Sequence, residues 1–417
     1  MEKSGPLQGT VRIQGSKNAV LPMMAASVLN KGVTVLEGCP DILDVRQMCL
    51  LLDSLGCQTS LDKGTLVIDA REIKETRAEK TASGQMRSSI ILAGAMLGRC
   101  KEVTLAYPGG CSIGKRPIDM HLEAFRKLGV LVEEGEEEIY CTAKSLKGNS
   151  IFFRFPSVGA TENAILAAVL AEGKTTIYHG AKEPEIEALC DMLNRMGAKI
   201  TGAGADVIII DGVDALHDVT VTVPSDRIVA GTYLLTVAGC GGEAELQTGC
   251  GKDLLSLYPV LEQLGCHIAC TNSRIYIRKK DAGKSLIQVT TSTYPGFPTD
   301  LQSQLMAVLC KRNGYGIIVE NIFENRYGQA EELSKLGADI HIIDHIAVVN
   351  GKECLKGAEV KARDLRGGAA MVMAGLMAEG ETTIDNISYI QRGYQDICGD
   401  LSSLGARIHP LYRDRRE

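Results

Sequence analysis

Tryptophan is missing from this chain, and aromatic residues make up only 4% of its 417 positions. Its core must therefore be filled by aliphatic side chains. Basic residues are not in excess either: 45 Lys and Arg face 51 Asp and Glu, a formal charge of −6. That balance excludes the basic footprint of general nucleic-acid binding, so an anionic ligand would have to be held by local cation clusters. No apolar run approaches the roughly 18 residues of a membrane span, and no apolar signal region follows Met1. The expectation is a cytoplasmic protein with neither membrane nor nucleic-acid partners. Its 14 cysteines, without an export signal, then read as free thiols of a reducing compartment. Cys49, Cys57, Cys190, Cys240, Cys266, Cys310 and Cys398 fall in apolar periodic segments and are expected to be buried. Cys266-His267-x-x-Cys270 lacks a second pair at zinc spacing and lies in a strand-like run, so no metal site is expected.

What the chain does have is a repeat. A helical stretch ending in Leu or Met, then Gly, then a small residue or Val, recurs at Gly56, Gly129, Gly197, Gly265, Gly337 and Gly405, about every 70 residues. Glycine just past a helix end is the left-handed cap that stops it. Each unit reads as an apolar first helix such as Ser157 to Ala171, a short β-branched strand, an amphipathic second helix, and two more strands. First helices that are apolar nearly all round must be buried, so each unit is an α/β layer that needs neighbours. Three units on each side of the polar break Val223-Pro224-Ser225-Asp226 predict two domains, 16–224 and 1–15 plus 225–417. The strand Gly9 to Gln14 would then close the ring of the second half. Two crossings, near Gly15 and near Val223, predict a hinge and a cleft that closes on ligand.

Charge at the helix starts is unusual. The N-terminal end of a helix carries partial positive charge and disfavours cations. Yet Lys17, Arg87, Arg227 and Arg366 open the first helices of units one, two, four and six. Equivalent positions of a repeat point the same way, so these cations converge within a domain. With helix ends beside them they make a site for phosphate and carboxylate, to which Arg116, Arg326 and Arg392 can add. The opposing reading is a scatter of solvated surface cations. Unit five instead carries Asp300 in Phe297-Pro298-Thr299-Asp300. That carboxylate is either an ordinary helix-start acid or an acceptor for a substrate hydroxyl proton, and the motif alone leaves both open.

One more segment carries chemistry, Pro108-Gly109-Gly110-Cys111-Ser112-Ile113-Gly114-Lys115-Arg116-Pro117. Glycines frame Cys111, and two cations follow it, an environment that favours a thiolate. Pro117 suits the first turn of the helix that follows. The bland alternative is a small residue in a surface turn.

Taken together, these residues resemble the UDP-N-acetylglucosamine 1-carboxyvinyltransferases, or enolpyruvyl transferases, over almost the whole chain. The resemblance rests on Gly15-Ser16-Lys17-Asn18-Ala19, Met86-Arg87-Ser88-Ser89, the Gly-Gly-Cys loop with Arg116-Pro117-x-Asp119-x-His121, and Ser157-Val158-Gly159-Ala160-Thr161. Phe297 to Asp300, Ile322-Phe323-Glu324-Asn325-Arg326, Asp364-Leu365-Arg366 and Arg392-Gly393-Tyr394 complete it. The related 5-enolpyruvylshikimate-3-phosphate synthases share the six-unit fold but lack the cysteine loop, and that loop decides between the two.

The resemblance implies a two-domain inside-out α/β barrel of six βαβαββ units, three per domain. It implies a monomer whose partners are two small molecules, phosphoenolpyruvate and UDP-N-acetylglucosamine, with no cofactor and no metal. Lys17, Asn18, Arg87, Arg116, Arg326, Arg366 and Arg392 would hold phosphoenolpyruvate. Asn18, Arg87, Arg116, Pro117, Ile118, Asp119, Met120, His121, Ser157, Val158, Gly159, Asp300, Ile322 and Phe323 would hold the nucleotide sugar. Cys111, Asp300, Lys17 and Arg392 would be catalytic, Cys111 as proton donor or covalent adduct and Asp300 at the sugar 3-hydroxyl. There are departures. The N-terminus is shorter than is typical, Tyr327-Gly328-Gln329 replaces a common Phe-Met-His, Gln391 and Gln395 stand where acids are frequent, and Phe155 stands where some members carry a basic nucleotide contact. A non-catalytic sensor of the nucleotide sugar is the rival from another class. It would need neither the thiol nor the carboxylate, and the chain keeps both.

Overall fold

All six repeat glycines, Gly56, Gly129, Gly197, Gly265, Gly337 and Gly405, lie at φ between 83° and 103°. Only glycine adopts that backbone freely, so the helix stops read from the sequence are real. The computed structural model describes residues 1–77, 87–107, 114 and 117–411, leaving aside the side chains of 87 and 88. Contacts divide the chain into two compact units, one of residues 15–107 and 117–224, the other of 1–14 and 225–411.

In the first unit the central helices are Lys17–Ser27, Ile91–Cys100 and Val158–Ala168. Every residue from Ala160 to Ala168 is buried, and burying a single large aliphatic side chain is worth roughly 1.5–3 kcal/mol. Small residues set how closely these helices approach. A Cβ added to Gly94 would lie 2.5 Å from the Asn163 carbonyl oxygen, and one added to Gly98 would lie 2.9 Å from that of Leu166. Three sheets surround the helices. Val33–Glu37 pairs in parallel with Val219–Thr222 and antiparallel with Thr65–Asp69, which Gln58–Asp62 flanks. Lys174–Tyr178 repeats that order with Ser150–Phe152, Val207–Asp211 and Lys199–Thr201. Glu102–Ala106 pairs with Glu138–Thr142 and then Leu131–Glu134, and a single parallel bridge from Arg77 to Thr104 takes the fourth place.

The second unit repeats the plan around Arg227–Cys240, Gln302–Cys310 and Leu365–Met377. In the last of these, all twelve residues from Arg366 to Met377 are buried. The first sheet is closed by Leu7–Arg12, which pairs in parallel with Gly242–Gln247. This strand lies two residues before the expected Gly9 to Gln14. The second sheet runs Leu286–Thr290, Tyr315–Val319, Ile346–Asn350, Asp339–Ile343. The third has Glu359–Lys361 and Thr383–Asp385, extended by an antiparallel bridge from Glu2 to Glu381. Glu2 N–H in turn donates to the Arg407 carbonyl at 3.0 Å. Residues at the start of the chain thus complete the sixth repeat's sheet. Helices inside and sheets outside make each unit an α/β barrel turned inside out.

Two expectations need correction. Cys49, Cys240 and Cys398 are only partly buried, because each faces the margin of its core rather than its centre. The helix after the cysteine loop starts at Asp119, with Ile118 as its cap at φ −105°. Pro117 therefore precedes the helix and is exposed.

Candidate active site

The residues singled out from the sequence fall on both units. On the first, Ser16 caps the opening central helix by accepting from Ala19 N–H at 3.3 Å. Lys17 follows directly, and its Nζ lies 2.6 Å from Asp44 Oδ2, with Asp44 only 1% exposed. A fixed acid therefore offsets the conflict between Lys17 and the positive helix end. Asn18 is partly buried beside it. Arg87 opens the short turn Arg87–Ile90 that leads into the second central helix. Ser157 caps the third helix by accepting from Ala160 N–H at 3.4 Å, which puts Val158 and Gly159 in its first turn.

His121 is buried over that turn, and a Cβ on Gly159 would lie 3.1 Å from the imidazole Cε1. Asn163 fixes the ring. Gly94 N–H donates to Asn163 Oδ1 at 2.7 Å, so Nδ2 faces the other way, donating to the Ile90 carbonyl at 3.0 Å and to His121 Nδ1 at 2.7 Å. Because His121 Nδ1 accepts, the neutral ring carries its proton on Nε2. Ile118 is buried, and Asp119 and Met120 are partly buried. Partial burial works against the charge of Asp119, but Arg154 donates to its carboxylate and, with the Met120 backbone N–H, holds its pKa below the ordinary value. Cys111, Lys115 and Arg116 lie outside the described residues.

On the second unit, carboxylate caps offset the cations at the helix starts. Asp226 Oδ1 accepts from Ile228 and Val229 N–H at 2.8 and 3.0 Å, ahead of Arg227. Asp364 Oδ1 accepts from Arg366 and Gly367 N–H at 2.9 and 3.0 Å. Asp300 is the centre of this unit's cluster. Its Oδ1 accepts from Arg326 NH2 at 2.9 Å and its Oδ2 from Arg366 NH2 at 2.8 Å. The two arginine side chains are 5% and 4% exposed, while Asp300 is 27% exposed. So the carboxylate is partly exposed while the arginines that hold it are buried. Burial disfavours the charge of Arg366, yet Asp300, Tyr394 and Asp226 around it raise its pKa above the ordinary guanidinium value. Arg326 Nε and Arg366 NH1 are buried without a hydrogen-bond partner among the described residues.

Supports surround this clamp. The Arg326 guanidinium lies 5.6 Å over the Phe323 ring, and that of Arg227 lies 5.4 Å over Tyr294, both within cation–π range. Glu320 is buried and accepts three bonds, from Thr299 Oγ1 at 2.9 Å and from Ile322 and Phe323 N–H at 2.8 and 3.2 Å. It ties the turn that carries Asp300 to the Ile322-Phe323 loop. Thr232 Oγ1 spends its one proton on the Ile228 carbonyl at 2.8 Å, so Tyr394 OH must donate to Thr232 at 2.8 Å. Arg392 is partly buried two residues before Tyr394.

The structure thus brings Asp300, Arg326 and Arg366 together and groups Ser157, Val158, Gly159 and His121. Asp44, Asn163, Glu320 and Arg154 went unmarked in the sequence. Nothing local distinguishes them, because each acts on a partner 21 to 73 residues away or on another element.

An acid clamped by arginines among capped helix starts, on a twice-repeated inside-out α/β plan, defines the enolpyruvyl transferase class. Residues 1–401 match the family of EPSP synthase (3-phosphoshikimate 1-carboxyvinyltransferase), and the chain belongs to that family. It is 45% identical to UDP-N-acetylglucosamine 1-carboxyvinyltransferase 2 of Caldanaerobacter subterraneus, over 96% of each chain. It is 42% identical to UDP-N-acetylglucosamine 1-carboxyvinyltransferase of Ruegeria pomeroyi, over 98% of each. Among solved structures, the enolpyruvyl transferase NikO from Streptomyces tendae superposes with a TM-score of 0.87 at 25% identity, covering 97% of both chains. EPSP synthase from Acinetobacter baumannii shares the fold, with a TM-score of 0.72 at 18% identity.

Proposed function

We propose that this protein transfers the enolpyruvyl group of phosphoenolpyruvate to the 3-hydroxyl of UDP-N-acetylglucosamine and releases phosphate, the first committed step of peptidoglycan precursor synthesis. One observation carries the reading: near-full-length likeness, at 45% identity, to a protein named for that activity. The sugar oxygen attacks C2 of phosphoenolpyruvate while a proton reaches C3. The tetrahedral adduct then loses phosphate and a C3 proton, which restores the double bond.

Asp300 takes the 3-hydroxyl proton. Its partly open face, with both oxygens already oriented by buried arginines, supports that role. Lys17, Arg87, Arg116 and Arg392 hold the phosphate and carboxylate, with Asn18, Arg326 and Arg366 assisting. The position of Arg326 and Arg366 on the two oxygens of Asp300 supports the assistance. Asn18, Arg87, the run Arg116 to His121, Ser157, Val158, Gly159, Ile322 and Phe323 hold the nucleotide sugar. Helix-start N–H groups near Ser157 support a diphosphate there. Cys111 donates the proton to C3 or forms the adduct. The two domains are 16–224 and 1–15 with 225–417, and the enzyme works as a cytoplasmic monomer without metal or cofactor. Among the described residues no helix is long and apolar enough to cross a membrane.

The test is phosphate release. It is expected only when both substrates are present. Folded protein that releases none at millimolar concentrations of both would favour a nucleotide-sugar sensor instead.

A further inference from the structure

Arg392 caps the C-terminal end of the short helix Ser388–Gln391. Gly393, Tyr394 and Gln395 then lead to Asp396, whose carboxylate accepts from Gly399 N–H and caps the next helix. Several contacts hold this connection. Gly393 and Tyr394 N–H donate to the Ile390 carbonyl at 3.1 and 3.0 Å. The Tyr394 ring is buried, with its hydroxyl on Thr232. A Cβ added to Gly393 would lie 2.8 Å from Leu365 Cδ2, so the backbone here rests on the residue before Arg366.

The backbone on either side of Tyr394 is gripped by one side chain from the far end of the sequence. Gln14 Nε2 donates to the Gly393 carbonyl at 3.0 Å, and Gln14 Oε1 accepts from Gln395 N–H at 2.8 Å. The orientation of the amide is fixed, because turning it over would set donor against donor and acceptor against acceptor. Gln14 is itself held through its backbone. It lies just beyond the strand Leu7–Arg12, where Ile13 N–H donates to the Gln247 carbonyl at 3.0 Å and the Gln14 carbonyl accepts from Asp226 N–H at 2.9 Å. Asp226 caps the central helix Arg227–Cys240. A side chain presented by a sheet and a central helix thus fixes the backbone from which Arg392 projects. All of these residues belong to one unit, and Gln14 is its last residue before the chain passes into the other.

We propose that Gln14 is a positioning residue for Arg392. It sets the backbone next to that arginine, and so the place of the guanidinium, without touching substrate. The proposal rests on the reading in which Arg392 holds phosphoenolpyruvate. A guanidinium on a long, flexible stem carries any backbone error to its head, and a misplacement of about 1 Å can cost roughly 100-fold in rate. Nothing in the sequence around Gln14 marks it for this task, since its partners lie 379 and 381 residues away.

Gln14→Met keeps the length of the side chain and removes both bonds. Gln14→Glu keeps the acceptor for Gln395 N–H but turns a second oxygen toward the Gly393 carbonyl. The bonds lie at a partly exposed margin, where water takes the broken ends, so both variants should fold. In both, kcat/KM for phosphoenolpyruvate is expected to fall about 10- to 100-fold, while KM for UDP-N-acetylglucosamine stays within about twofold. In an Arg392→Lys background, Gln14→Met should cost less than about twofold more, because both changes act on one side chain. Hydrogen exchange followed by mass spectrometry reads the clamp without turnover. Exchange at Gln395 should speed up in Gln14→Met and stay slow in Gln14→Glu, with Arg227–Cys240 protected in both. Unchanged exchange at Gln395 in Gln14→Met would overturn the clamp. Equal losses toward both substrates, or a Gln14→Met penalty as large in Arg392→Lys as in wild type, would overturn the positioning role. Wild-type protein that releases no phosphate, or Arg392→Lys with wild-type kinetics, would remove the role together with the reading of Arg392, and the exchange pattern would still show whether the clamp exists.

Discussion

Replacing Asp300 by alanine removes two charge-assisted bonds at once and strands Arg326 and Arg366, whose side chains are 5% and 4% exposed. Removing one partner of a buried ion pair costs about 3–5 kcal/mol. Asp300 itself is 27% exposed, and water reaching the clamp screens part of that, so about 3 kcal/mol is expected. Asparagine at 300 can still accept from one arginine but turns an N–H toward the other, so its loss should be smaller, about 1–2 kcal/mol. Turnover follows a different rule. Neither alanine nor asparagine can take a proton, so both should lose roughly 10²–10⁴-fold in kcat. Stability is read from urea unfolding followed by a probe in the second unit, and turnover from phosphate release at saturating substrates. The two variants should separate in the first assay and coincide in the second. An alanine variant that unfolds at the wild-type urea concentration would refute the clamp. Turnover kept within about tenfold by asparagine would refute proton acceptance.

Lys17→Met should abolish most phosphate release and also destabilise the first unit, because it leaves Asp44 buried beside an apolar chain. Adding Asp44→Asn should restore the melting temperature without restoring turnover, and recovery of both would make Lys17 merely structural. Glu162 is buried, and its pKa is well above the ordinary 4.5 because of desolvation first and then Glu185 and Glu183. The unfolded chain releases this proton above about 4.5 while the folded one keeps it, so stability falls as pH rises, by up to about 1.4 kcal/mol per pH unit. Glu162→Gln should therefore gain on wild type in thermal melts between pH 5 and pH 8, and a constant gap across that range would disprove the assignment. Brief exposure to the phosphonate epoxide fosfomycin should label Cys111 first in peptide maps. Burial pushes Cys57, Cys190 and Cys310 up to about 12, and exposed Cys270 and Cys354 report plain accessibility. Label spread evenly over Cys111, Cys270 and Cys354 would show that Cys111 is not activated.

The repeat was legible because its punctuation is local. A glycine at positive φ after Leu or Met needs no tertiary partner to be recognised, and six of them fix the plan. The buried helices were legible for the same reason, since Val158–Ala168 has no polar face to present. Partners across repeats were not. Asp300 meets Arg366 across 66 residues, and Asn163 meets Ile90 across 73, distances at which sequence carries no register. The role of Asp300 stayed open in the sequence for that reason. A helix-start acid and a clamped carboxylate have the same local signature, and only the arginines tell them apart. The sixth sheet was hidden likewise, because Glu2 bridges to Glu381 from the other end of the chain.

The strand Leu7–Arg12 has a consequence for synthesis. Its only ladder partner among the described residues is Gly242–Gln247, made about 230 residues later, which at roughly 5–20 residues per second is some 10 to 50 s on the ribosome. Throughout that time the nascent chain carries an unpaired, partly apolar strand ahead of a first unit whose described strands already have their ladder partners. Exposed strand edges invite pairing with other chains. For this protein the hazard of misassembly falls in the interval between synthesis of residues 7–12 and of residues 242–247, and a holding factor would have to grip that strand until the second half arrives.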